Sequence, residues 1–305
     1  MIRHLLQLIW NQRKQNAWLW AELLLVSVFL WFLVDYLYVM GRTYTAPLGF
    51  DIRHTYSIVI SSLSERSPDY IPKEKRERPD GVHLLTALDR IRTYPGVESA
   101  CLTDGGMPYY MGSRNLVWRI DTLQVPCRYA FVTPEFFDVF RIYDKDGKTA
   151  SLKRAIEDNN SIVISADVET MNPGLSLLGQ KAYRGNVTDE IEETIRGISV
   201  PIRRHEYTKA EPNVYRALRL SRMEEGYYEG MIDAVRLCVR VRPDVDNADF
   251  PARFRKDMAE QLRLGNLYLL DVQPLSYIRD GYIRSIGVEL SLIHISEPTR
   301  LRCIS

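Results

Sequence analysis

From Ala17 to Met40 the chain is almost unbroken apolar, with Glu22 and Asp35 as its only charges. As a helix rising about 1.5 Å per residue, this stretch reaches across the ~30 Å hydrocarbon layer of a bilayer, so the pattern predicts a transmembrane helix over 17–40. A cleaved signal peptide fits less well, because the apolar run is too long and no small-x-small cleavage site follows it. Ahead of the run, Ile2, Leu5, Leu6, Ile9 and Trp10 recur at helical spacing beside Gln7, Asn11, Arg13 and Lys14. Residues 1–16 therefore read either as an amphipathic segment under the inner leaflet or as a cytosolic extension of the span. Arg3, Arg13 and Lys14 precede the span, whereas Arg42 and Arg53 follow at wider spacing, a bias that places the N-terminus in the cytoplasm.

Between Arg42 and about Ile286 nothing else is long and apolar enough to span, so this body is expected on the far side of the membrane. Ile52, Tyr56, Ile58 and Ile60 take alternate positions in Asp51–Ser61 and predict a strand. The mixed-sign stretch Ser64–Asp80 predicts a solvated loop. Leu84, Leu85, Leu88 and Ile91 then form a helical stripe that Tyr94-Pro95-Gly96 ends, and Val97–Thr103 returns as a strand. The second half repeats the arrangement. Val235, Leu237, Val239 and Val241 alternate with Arg236, Cys238, Arg240 and Arg242; Phe250, Phe254, Met258 and Leu262 give a helix over 250–262 with Pro251 in its first turn; Gly265 closes it and Asn266–Val272 returns. Two β-α-β units around an insertion predict an α+β body. A split subdomain over 42–131 and 224–275 carries helices on one face of its sheet, and an inserted α/β subdomain occupies 132–223. In the insertion, Ser161–Ser165, Thr194–Ile202 and Val214–Leu220 read as strands.

Composition narrows the function. With 40 Lys+Arg against 39 Asp+Glu, a net charge of +1 and 46% hydrophobic residues, the chain is neither a disordered tail nor a basic nucleic-acid binder. Its 4 cysteines, Cys101, Cys127, Cys238 and Cys303, form no C-x-x-C pair, which removes zinc ribbons and thioredoxin-type motifs, and no bridge is expected among them. Gly147-Lys148-Thr149 lacks the glycine that a phosphate loop needs at Ile142, and the same stretch fails as a calcium loop, so Asp144–Gly147 reads as a surface turn. The histidines show no metal spacing and no G-x-S-x-G is present, which leaves no catalytic, cofactor-binding or metal residue to name. Arg203-Arg204-His205-Glu206 suits either an anionic group or a polar loop. Glu22 and Asp35 reach headgroups or water, or else contact neighbouring helices of a larger bundle. Phe136, Phe137 and Phe140 are candidates for the junction between subdomains.

Three segments in order carry a resemblance: Tyr94-Pro95-Gly96-Val97-Glu98-Ser99-Ala100, then Phe131-Val132-Thr133-Pro134-Glu135-Phe136-Phe137-Asp138-Val139-Phe140, then Ser161–Ser165 running to Leu178-Gly179-Gln180-Lys181. The series resembles the extracytoplasmic domain of MacB-like ABC-transporter permeases of the FtsX-like superfamily, over nearly the whole chain. The resemblance implies a porter subdomain with an inserted Sabre subdomain, and a non-catalytic permease subunit with four transmembrane helices. It also implies a dimer of two copies or of a copy and a paralogue. ATP would be used by a separate ABC ATPase subunit, with a periplasmic adaptor and an outer-membrane channel as further partners, in the bacterial inner membrane. Residues 276–290 would be a stalk toward a second span. The chain departs from this pattern at 291–305, where His294-Ile295-Ser296-Glu297-Pro298-Thr299-Arg300 resembles translated sequencing-adaptor read-through, so a non-native tail is expected. The expected function is export by mechanotransmission. Two alternatives stand beside it: a single-span anchored sensor or binding module, and an FtsX-like regulator of an envelope enzyme.

Overall fold

The computed structural model describes residues 10, 17–110, 112, 114–185, 190–229 and 231–286. The amphipathic segment, apart from Trp10, and the tail at 291–305 lie outside the described residues, as do Cys303 and His294. The chain divides into two units: Met1–Pro47 with Glu206–Lys209, and the body formed by Leu48–His205 and Ala210–Ser305.

In the first unit, α1 (Ala17–Thr45) is a 29-residue helix with no buried residue. It is long and apolar enough to cross a membrane and runs past Met40, since Gly41-Arg42-Thr43-Tyr44-Thr45 continue its turns before Pro47 ends them.

In the body, β1 (Thr55–Ser62), α2 (Asp80–Arg92) and β2 (Val97–Asp104) form the first β-α-β passage. The strand begins at Thr55, not Asp51, because the Asp51 carboxylate accepts the Arg53 backbone N–H at 2.8 Å and turns the chain. The Pro95-Gly96 turn is closed by Val97 N–H donating to the Tyr94 carbonyl at 3.1 Å, with Gly96 at φ +91°, a left-handed position suited to glycine. The second passage is β9 (Val235–Val241), α7 (Phe250–Met258) and β10 (Leu267–Pro274). The expected helix over 250–262 ends at Met258, and looser turns carry the chain to Gly265, whose φ is +56°. The two passages interleave: the order β10-β1-β9-β2 is antiparallel throughout, so each parallel pair is separated by a strand of the other. Helices α2 and α7 bury Leu84, Leu88, Ile91, Phe250, Phe254 and Met258 against Ile58, Leu102, Leu237 and Val239 on one face of that sheet.

Between β2 and β9 lie β3 (Asn115–Ile120), β4 (Leu123–Val132), α3 (Phe136–Val139), α4 (Ala150–Ala155), β5 (Ser161–Ser165), α5 (Asp167–Met171), β6 (Lys181–Arg184), β7 (Ile191–Ser199), β8 (Asn213–Ala217) and α6 (Leu220–Glu224). Strand order β4-β3-β6-β7-β5-β8 closes on itself through a parallel β8–β4 pairing. The insertion is thus a closed six-membered ring of strands. Its inner face is set by alternation: Trp118 and Ile120, Val125 and Cys127, Ile162 and Ile164, with Ala182, Ile195 and Val214, fill one buried cluster. The pairing of β3 and β4 with β6 and β8 ties 115–132 to the inserted strands, so the insertion starts before Val132. Among the described residues the ring joins the outer sheet through two strand-paired residue pairs, Thr103↔Val132 and Asp104↔Phe131. After β10, residues 275–286 form α8, which buries Leu275 and Tyr282 on one face.

Candidate functional site

The short helix α3 sits where outer sheet and ring meet. Phe136, Phe137 and Phe140 are all fully buried. Phe136 meets Phe140 with tilted rings at 4.9 Å between centroids, meets Phe137 edge-on at 5.8 Å, and reaches Tyr215 of β8 at 5.5 Å; Phe137 touches the same tyrosine at 5.6 Å. The cluster they form also includes Cys101 and Cys238 of the outer sheet and Leu152, Val163 and Tyr215 of the inserted part. Thr133 anchors the start of this segment by accepting, at its hydroxyl, the Leu102 N–H at 3.1 Å.

Beside α3 opens a cleft of about 580 Å³, walled on one side by Leu85, Leu88 and Arg92 of α2 and on the other by Ile156, Asn159 and Leu218. Two lining residues, Arg92 and Glu135, pair at 2.9 Å. The walls belong to different subdomains, so a change in their relative position would open or close the cleft. Its lining, apolar along α2 with charges at the rim, suits capture of an amphipathic group.

Sequence reasoning missed Arg240. It stands in the alternation of β9 as a polar position, but α3 covers that second face and leaves Arg240 with no exposed surface. Its guanidinium donates to three backbone carbonyls, those of Val139 at 2.7 Å, Arg53 at 2.7 Å and Asp51 at 2.6 Å. It therefore ties the outer sheet both to α3 and to the segment that leads into β1. Burial, followed by the nearby Arg141 charge, pushes its pKa down, and the three carbonyls hold the charged form in place.

A second convergence joins the two ends of the body. Phe50, just before β1, and Tyr282 of α8 both meet Tyr109 edge-on, at 5.8 and 5.9 Å. Gly49 lies against the segment after β7 so closely that a Cβ there would sit 2.1 Å from the Pro201 carbonyl oxygen, and Arg203 N–H donates to the Leu48 carbonyl at 3.0 Å.

Glu22 and Asp35 are exposed on α1; 13 positions apart, at about 100° per residue they point roughly to opposite sides of the helix. Asp144–Gly147 is a surface turn in which Asp144 accepts N–H groups of Asp146 and Lys148 at 2.9 and 2.8 Å. Among the described residues no group of three or more His, Cys, Asp or Glu is placed to hold a metal ion.

No family model and no curated protein matches the chain. Among solved structures it is similar to a domain of a protein from Porphyromonas gingivalis described as a permease, 18% identical over 75% of this chain and 92% of that one with a TM-score of 0.48. It is also similar to the extracellular domain of the noncanonic ABC-type transporter YknZ from Gram-positive bacteria, 11% identical over 70% of this chain and 100% of that one with a TM-score of 0.39. A third is the periplasmic region of MacB from Actinobacillus actinomycetemcomitans, 10% identical over 81% of this chain and 98% of that one with a TM-score of 0.41.

Proposed function

We propose that the chain is a permease subunit of a MacB-like ABC transporter, in which movement of membrane helices is passed to an extracytoplasmic body. In this reading α1 crosses the inner membrane with its N-terminus in the cytoplasm, α8 leads toward a second span, and a separate ATPase works inside. A second copy or a paralogue completes the transporter, and a periplasmic adaptor and outer-membrane channel would receive its cargo. Glu22 and Asp35 would contact neighbouring helices. The carrying observation is the meeting of Phe50 and Tyr282 on Tyr109: a body whose two chain ends converge can hang on two stalks, and displacement of either stalk reaches the same point. From there Arg240 and the Phe136 cluster offer a packed route to the cleft, so mechanical work can alter the cleft without a channel through this chain. The chain itself performs no catalysis in this scheme.

The test uses full-length protein from its own membrane. Affinity purification in mild detergent should bring an ABC ATPase with it, and cysteines introduced at Asp89 and Asn159, both lining the cleft, should crosslink at a rate that ATP with vanadate alters. Recovery without any ATPase, with crosslinking blind to nucleotide, would sink the transporter reading and favour an anchored binding module that uses the same cleft.

A further inference from the structure

We propose that the cavity lined by Arg128, Arg203 and Arg204, beside the Phe50–Tyr109–Tyr282 convergence, is a binding site for a single oxyanion of the phosphate class. The cavity measures about 40 Å³ and is walled by the loop from Gly105 to Tyr109, by Arg128–Ala130 of β4, by Ile202–Arg204 and by Asn213–Tyr215 at the start of β8. At ~10–15 Å³ for each water-sized site, that is room for about three waters or one tetrahedral anion, and not for an extended molecule.

Charge is the reason to expect an anion there. No described carboxylate lies within 4.0 Å of the Arg128 or Arg204 guanidinium, and the Nε of each is buried without a hydrogen-bond partner. Burial first, and then the repelling charge of Arg204, lower the pKa of Arg128; Glu211 acts in the opposite direction but is solvent-exposed. Elsewhere in the body Arg216 and Arg240 have found partners, whereas Arg184 and Arg236 also keep a buried Nε without a hydrogen bond, Arg184 facing Glu193 at 3.5 Å and Arg236 lying over the Tyr110 ring. Arg216 donates from Nε to Glu193 at 2.8 Å, and Arg240 uses three carbonyls. Two mutually repelling guanidinium groups with no carboxylate beside them at a polar cavity are destabilising, and an oxyanion removes that penalty while accepting their forked N–H groups. The Asn213 side chain and the Tyr215 hydroxyl, both in the lining, add neutral groups suited to fixing its orientation.

The position gives the site a consequence. Phe50, Ile202 and Tyr215 line the cavity, and Tyr282 lies under Arg204 at 5.9 Å. A bound anion would therefore hold β4, β8 and the segment after α1 together, and through Arg204 would steady α8. A phosphate group can come from solution or from a lipid headgroup, and the chemistry of recognition is the same.

Thermal unfolding of the full-length protein tests this, in sodium phosphate against sodium chloride at equal ionic strength, and in nanodiscs of phosphatidylcholine against phosphatidylglycerol. The melting temperature should rise by several degrees with phosphate, with phosphatidylglycerol, or with both. A rise with phosphate identifies a free anion as sufficient, and a rise confined to phosphatidylglycerol identifies the headgroup. Arg128→Gln and Arg204→Gln should each weaken the dependence on anion concentration about tenfold or more. They should melt no lower than the parent in chloride, because each removes an uncompensated charge. Equal melting in every medium, or an anion effect of the same size in the two variants, would overturn the assignment. Its failure would leave the permease reading untouched, since that rests on ATPase association.

Discussion

At the scale of single residues, the strongest consequences come from polar or sulfur groups placed in the core. Arg240 satisfies three backbone carbonyls, and a buried acceptor left without a donor costs about 1–3 kcal/mol. Arg240→Met should thus lower unfolding stability by about 3 kcal/mol or more in urea titrations, and Arg240→Lys should recover only part, since an ammonium lacks the planar fork. A loss below about 0.5 kcal/mol would mean that water replaces the guanidinium. The alternation of β9 made Val235, Leu237, Val239 and Val241 legible as one buried face, but period two is silent on whether the opposite face is covered. It is, by α3, and Arg240 became structural for that reason. Cys127, also interior, has its thiol pushed up to about 12 by burial. The unfolded thiol ionises near 9, so the folded state holds its proton longer: this contribution to stability is complete below pH 9 and lost as pH rises toward 12. Iodoacetamide at pH 8.5 should leave Cys101, Cys127 and Cys238, all buried, unlabelled in the native protein and labelled after denaturation, read peptide by peptide by mass spectrometry. Native labelling of Cys127 would contradict its burial.

Among elements, those whose periodicity matched their environment were readable. Helices α2 and α7 each lay one side on the outer sheet, so their stripes of Leu84, Leu88 and Ile91 and of Phe250, Phe254 and Met258 stand out against the polar residues of their other sides. The ring strands were harder. Strand β3 is a short alternation of Leu116, Trp118 and Ile120 with Asn115, Val117 and Arg119, and Pro126 lies inside β4, outside the stretch 128–132 that β8 pairs; proline in a run ordinarily argues against a central strand. Strand β7 carries a register shift where Ile162 and Val163 face Ile195 and Gly197, and the extra residue, Arg196, breaks the alternation. Gly197 has a role that follows from this. A Cβ there would stand 2.8 Å from Val163 Cγ2, 3.0 Å from Ala155 Cβ and 3.3 Å from Leu152 Cδ2, so its absence lets α4 lie directly on the ring. Gly197→Ala should destabilise by about 1–3 kcal/mol through overpacking, and Val163→Ala in the same chain should return part of that loss. If the two losses simply add in chemical denaturation, the contact with Val163 is not the cause.

For the body as a whole, the question is how tightly ring and outer sheet act together, because a mechanical role needs two parts that are coupled yet able to shift. Among the described residues their strands share the pairs Thr103↔Val132 and Asp104↔Phe131 alone, so backbone pairing contributes little. Side chains must supply the coupling: Phe136, Phe137 and Phe140 pack with Tyr215 of the ring and with Cys101 and Cys238 of the outer sheet, and Arg240, on the same face of β9 as Cys238, holds the end of α3 through the Val139 carbonyl. The sequence offered the three phenylalanines as junction residues because an aromatic cluster on so short a helix has to be buried by something larger than the helix itself. It offered no sign of Tyr215, which arrives from β8, remote in the chain. Truncating Phe136 removes ring contacts to Phe137, Phe140 and Tyr215 together. Phe136→Ala should therefore cost about 3–5 kcal/mol, and the cost should fall on the joint more than on either part. In hydrogen exchange followed by mass spectrometry, the parent should show ring strands β5 and β7 and outer strands β1 and β9 opening with similar free energies. The variant should show the two sets diverging, one retaining protection while the other loses it. Parallel loss of protection in both sets would mean that the cluster stabilises the body as one cooperative block, leaving no internal joint through which movement at the chain ends could reach the cleft.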